Sequence, residues 1–138
     1  MSDAPRQDLK ERAFRFTSRI LGTYRRLAAI SPAHADMARQ LLKSATAIGA
    51  LLQEAEVANS RRDLASKLAI ALRESRETNY WLRLFSLDPD WIEELAPLVQ
   101  ESREFVAMLT VSVRKLRAAP AEGSNSRSVR VAPRSIAT

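Results

Sequence analysis

Glu74 and Glu77 stand three residues apart in the run RESRETNYWLRL, Arg73–Leu84, and Trp81 follows four residues after the second. On a helix that spacing gathers both carboxylates and the indole on one side. Paired carboxylates so placed suit general acid–base work or a share of a metal site. Glu54, on the preceding helical segment, is a third candidate. A di-metal carboxylate centre in a bundle takes a Glu from each of two helices and Glu-x-x-His from each of the other two. No Glu-x-x-His occurs, and the single histidine, His34, lies beside a predicted helix start. The chain has no cysteine, which excludes a thiolate nucleophile, a disulfide and a cysteine zinc site. The glycine-rich phosphate cradles and the nucleophile elbow are absent too. The expectation is therefore no catalytic residue, no metal and no cofactor, with His34 an exposed or capping residue.

The helices that must carry these residues are legible in the apolar spacing. Leu9, Ala13, Phe16, Ile20, Tyr24 and Leu27 recur at threes and fours, predicting a first helix from about Asp8 to Ile30. Ser31-Pro32 reads as an N-cap and a first-turn proline, opening a second helix to about Val57 with Met37, Leu41, Ser44, Ile48, Leu51 and Ala55 inward. Its middle, SATAIGA, is made almost wholly of small residues, which suits a close neighbouring helix. Ser60-x-x-Asp63 resembles a capping box, and Leu64, Leu68, Ala71, Ser75, Thr78, Leu82 and Phe85 carry a third helix to about Ser86. Asp88-Pro89 starts a fourth, with Ile92, Leu95, Val99, Phe105, Val106, Leu109, Val113 and Leu116 inward. Pro97 should kink that helix or begin a new one. Short connections between four such helices predict an all-α, antiparallel up-down-up-down four-helix bundle over residues 8–117. Residues 1–7 are expected to be a flexible N-terminus. Residues 118–138, with two prolines and no large aromatic residue, are expected to be a disordered basic tail.

Charge points toward a partner. The chain of 138 residues carries a net charge of +6. Residues 1–30 hold seven basic and three acidic groups, and residues 61–85 hold six and three, whereas residues 86–117 hold four and six. Such asymmetry favours a polyanion, RNA or DNA, held through phosphate contacts. Candidate contacts are Arg12, Arg15, Arg19, Arg25 and Arg26 on the first helix and Arg73, Arg76 and Arg83 on the third. No apolar run approaches the roughly 20 residues of a membrane span, and the first residues are too polar for a secretory signal, so a cytoplasmic location is expected. On the third helix Ile70, Trp81 and Leu84 extend the apolar surface beyond one stripe. Two readings follow for Glu74, Glu77 and Trp81: the edge of a protein–protein interface, or a bundle margin with weak surface pairs.

The stretch QLLKSATAIGALLQEAEVANSRRDLASKLAIALRESRETNYWLRL, Gln40–Leu84, resembles the central signature of the four-helix-bundle family named for 23S rRNA intervening sequences. The matching residues are Gln40, Leu41, Ser44, Ala45, Ile48, Ala50, Glu54 and Ala55. They continue through Ser60, Asp63, Lys67, Glu74, Glu77, Thr78, Tyr80, Trp81 and Leu82. Leu51, Leu52 and Leu64 depart from the usual pattern. The resemblance implies a homo-oligomer, typically a pentameric ring of bundles, in which Glu54, Glu74, Glu77, Tyr80 and Trp81 are interface or structural signature residues. A similar bundle serves as the accessory protein of diversity-generating retroelements, where a basic pentamer works with a reverse transcriptase and nucleic acid. The implied role is a non-enzymatic nucleic-acid-binding accessory protein, with a protein-interaction scaffold, for example a partner of a reverse transcriptase, as the alternative.

Overall fold

Three short breaks divide the chain. In the computed structural model, which describes residues 3–118 with side chains from Leu9 onward, they separate α1 (Asp3–Ala28), α2 (Pro32–Ala55), α3 (Arg61–Phe85) and α4 (Pro89–Ala118). Each break follows from local chemistry. The Ser31 side chain accepts from His34 N (3.1 Å), and its hydroxyl lies 2.7 Å from His34 Nδ1. His34 is thus part of the α2 cap, its ring tilted against Phe85. Ser60 accepts from Asp63 N (3.0 Å), while Asp63 Oδ2 reaches back to Asn59 N (3.0 Å). That reciprocal pair satisfies two donors that the start of α3 would leave open. Asp88 Oδ1 accepts from Asp90 N (2.9 Å) and caps α4. No new helix begins at Pro97, which lies exposed inside α4. The first helix begins at Asp3, earlier than its apolar stripe implied. The expected C-terminal tail falls outside the described residues, apart from Ala118 at the end of α4.

The four helices form an antiparallel bundle in which α1 packs on α2, α2 on α3 and α3 on α4, while α1 and α3 occupy opposite corners. Side-chain size sets the spacing of the neighbours. Between α1 and α2 the contact runs through Ala13, Ala45 and Gly49, and Thr17 Oγ1 donates to the Ala45 carbonyl (3.1 Å). Between α2 and α3 the buried hydroxyls meet: Thr78 Oγ1 lies 2.8 Å from Ser44 Oγ, whose own proton goes to the Leu41 carbonyl (3.1 Å). Ser75 and Ser102 donate to the Ala71 and Val99 carbonyls (2.8 and 2.7 Å), so each buried hydroxyl has a partner. Backbones of α1 and α4 approach closely at few points. Their gap is filled by Phe16 and Phe105, packed edge to face with centroids 5.3 Å apart.

The buried stripe differs in detail from the expected one. On α2, Ala38 and Leu52 are buried where Met37 and Leu51 are half-buried, because α2 is flanked by both α1 and α3 and buries two adjacent stripes. Ala65 likewise lies deeper than Leu64. In the first turn of α4, Ile92 is exposed and Trp91 packs against the core instead, beneath Arg26. Val106 and Leu116 are half-buried.

Gly49 tests whether the small residues of SATAIGA are needed for helix approach. A Cβ built there meets Ala13 Cβ at 3.9 Å, an ordinary contact, and its φ is not positive. Gly49→Ala is therefore expected to stabilise the bundle by about 0.5–1 kcal/mol, raising Tm by roughly 2–4 °C. Gly22→Ala, at an exposed position with open space around it, gives the reference for helix propensity alone. A fall in Tm at Gly49 with a rise at Gly22 would show that the close approach requires glycine.

Candidate functional site

Trp81, Glu77 and Glu74 are occupied within their own bundle. Trp81 packs against the core, and its Nε1 donates to Glu77 Oε2 (3.1 Å), one turn back on α3. Glu74 lies 3.9 Å from the Arg73 guanidinium. Glu54 is exposed near the end of α2. The Ser44–Thr78 contact sets the α2/α3 register and places Glu54 level with Leu68, about 9 Å along the axis from Glu74. Among the described residues, no group of three or more His, Asp or Glu side chains converges as a metal site would require. A concavity of about 550 Å³ is lined mostly by apolar side chains, with Leu9, Leu52, Leu68 and Leu116 among them and Lys115 its one charged residue.

The candidate arginines divide into two groups. Arg12 spans the α1/α4 gap: its Nε and Nη2 donate to the two oxygens of Glu101 (3.0 and 2.8 Å), and Nη2 also meets Glu104. Its guanidinium lies 5.7 Å from the Phe105 ring centroid, roofing the aromatic pair. The hydrogen bond to Glu101 is the main cause raising the Arg12 pKa further above its ordinary value. The Glu104 carboxyl is held below its usual range by the bond from Gln100 and then by that from Arg12. At the other end of the seam Arg26 pairs with Glu94 and stacks over Trp91 at 5.1 Å. That hydrogen bond lowers the Glu94 pKa. Arg15 pairs with Glu11 on the exposed face of α1 (3.2 Å). Arg12 and Arg26 are thus clasps between α1 and α4 rather than free cations. Arg19 and Arg25 are exposed and make no ion pair among the described residues.

On the opposite corner the arrangement is different. Arg76, Tyr80 and Arg83 lie on one outer face of α3, and Arg103 faces them from α4. With Asn79 and Val106 they line a groove of about 350 Å³ that contains no carboxylate. All three arginines are exposed, and none makes a salt bridge among the described residues. Asn79 Nδ2 donates to the buried Ser102 Oγ (2.9 Å), which ties the groove floor across the two helices. Three like charges around one hollow repel one another, and an anion in the groove relieves that repulsion. Arg73, at 73% side-chain exposure, extends the same helix by a turn. Arg103 was absent from the sequence candidates because it sits in the segment whose net charge is negative. Only the fold takes its neighbours Glu101 and Glu104 away to Arg12 and leaves Arg103 on the other side.

An all-α four-helix bundle with an arginine-lined groove between α3 and α4 is the class defined by these features. Residues 6–111 match the family described as 23S rRNA-intervening sequence protein, and the chain belongs to that family. A search of proteins of curated function gives no match. Among solved structures, the chain is similar to a protein of unknown function from the S23 ribosomal protein family of Bacteroides thetaiotaomicron VPI-5482. The two are 34% identical, the match covers 79% of this chain and 97% of the other, and the TM-score is 0.69. No helix among the described residues is long and apolar enough to cross a membrane.

Proposed function

We propose that this protein is a non-enzymatic, cytoplasmic nucleic-acid-binding protein that grips a phosphate backbone in the α3/α4 groove, as an accessory to an enzyme acting on that nucleic acid. The observation carrying the reading is the set of three guanidinium groups, Arg76, Arg83 and Arg103, without an ion pair among the described residues, around one hollow lined by no carboxylate. Arginine forks match phosphate geometry and stay charged at any working pH. The family's name, which refers to an intervening sequence of 23S rRNA, makes RNA the polyanion to test first. Titration of labelled RNA with the full-length protein at low salt is the experiment. Binding that weakens steeply as salt rises supports the reading, and no binding to RNA or DNA at low salt refutes it.

Assembly into a homo-oligomeric ring, a pentamer by family resemblance, is the second part of the proposal. Beside the signature residues Glu54, Glu74, Glu77, Tyr80 and Trp81, the outer face of α1 adds an apolar surface that supports this reading, with Phe14 70% and Leu21 59% exposed two turns apart. Light scattering is expected to give a multiple of the 15.4 kDa chain mass. Asp substitutions at Phe14 and Leu21 together should return the chain mass. A wild-type monomer at working concentration would remove the ring from the account.

A further inference from the structure

Tyr80 sits between the arginines, where a purely electrostatic groove has no use for an aromatic ring. From its placement we infer that the groove is built for single-stranded nucleic acid, with Tyr80 as the platform on which an unpaired base stacks. This rests on the nucleic-acid reading above and narrows its substrate class.

Tyr80 is 53% exposed although it flanks the buried positions Thr78 and Leu82. Its hydroxyl has no hydrogen-bond partner among the described residues. The ring is nonetheless braced. Trp81 packs against it edge to face, with centroids 5.2 Å apart and planes at 73°. Trp81 is itself held by the core and by its bond to Glu77. A ring fixed before binding loses little freedom when a base stacks on it.

The cations are spaced around that ring. Arg76 and Arg83 lie about 6 Å below and 4.5 Å above Tyr80 along the helix axis, taking 1.5 Å per residue. Arg103 closes the third side from α4, and Val106 adds an apolar patch to the lining. The groove therefore alternates cation, apolar surface and cation. A single strand presents the same alternation, phosphate, base and phosphate, and every base has a face to stack. A duplex presents phosphates to such a groove while its base faces are hidden in the stack. Tyr80 would then be covered without a partner. An acidic peptide supplies carboxylates for the arginines but offers the ring no such face.

The test compares wild-type, Tyr80→Ala and Tyr80→Phe full-length proteins by fluorescence anisotropy. The probes are one labelled RNA, single-stranded and annealed to its complement, and a glutamate-rich peptide of similar charge. Tyr80→Ala is expected to weaken single-strand binding about tenfold while changing duplex binding by less than about twofold. Tyr80→Phe should retain both affinities, because the ring does the stacking. Circular dichroism melting of the variants keeps a folding defect separate, and little change is expected at an exposed position. If wild type binds RNA but Tyr80→Ala weakens both forms equally, or neither, the stacking inference is overturned and the nucleic-acid reading stands. If wild type binds neither RNA form, both are overturned. Binding of the acidic peptide in that case assigns the groove to an acidic protein partner.

Discussion

Phe105→Ala is expected to cost the bundle about 3–5 kcal/mol, a large share of the roughly 5–15 kcal/mol that stabilises a domain. Phe105 is fully buried and fills the gap between α1 and α4 with Phe16, edge to face. The backbones there make few close approaches of their own, so the rings carry the contact. Truncation removes the apolar surface of one ring and leaves a cavity that two helices joined by bulky side chains close only in part. It also takes away the surface beneath the Arg12 guanidinium. With a urea dependence near 2 kcal/mol per molar, the unfolding midpoint should fall by roughly 2 M. Leu87→Ala, in the exposed α3/α4 connection, should change stability by less than about 0.5 kcal/mol. A loss below about 1 kcal/mol at Phe105 would mean that the α1/α4 seam is held by something else.

Replacing Arg76, Arg83 and Arg103 together with alanine is expected to weaken RNA binding about a hundredfold at low salt. The figure follows from about 1 kcal/mol for each exposed charge contact and ~1.4 kcal/mol for each factor of ten. The fold should survive, because all three side chains are exposed and none holds an ion pair among the described residues. The control removes Arg19 and Arg25 on α1, exposed residues at the opposite corner. The control loses two charges where the groove variant loses three, so a general effect of basicity would weaken the control by about two-thirds as much on a logarithmic scale. Site-specific gripping weakens the α3/α4 variant far more.

The helix starts were legible because their causes are local. Ser31-Pro32, Ser60-x-x-Asp63 and Asp88-Pro89 each complete their hydrogen bonds within four residues. The apolar spacing located most of the core for the same reason, and it faltered where a helix answers to two neighbours, as at Leu51 and Leu52. Long-range pairing was not legible. Arg12 and Arg26 read as free cations, yet their carboxylate partners Glu101, Glu104 and Glu94 lie on the last helix. Regional charge hid Arg103 as well, since a segment's net charge says nothing about which face each residue occupies. Glu77 and Trp81 meet as their spacing on α3 implies, while Glu74 lies beside Arg73. The packing of Trp81 on its own core depends on the tertiary fold, which the spacing alone does not carry.

The central claim is that phosphates are gripped by the three arginines of the α3/α4 groove, and the salt dependence of RNA binding tests it most directly. For a single-stranded RNA, each phosphate neutralised contributes about −0.7 to the slope of log K against log salt concentration. Wild-type protein should therefore show a slope of about −2 or steeper. The Arg76, Arg83 and Arg103 triple-alanine variant should have a slope shallower by about 2. An equal slope in both proteins, whatever their affinities, would contradict the account.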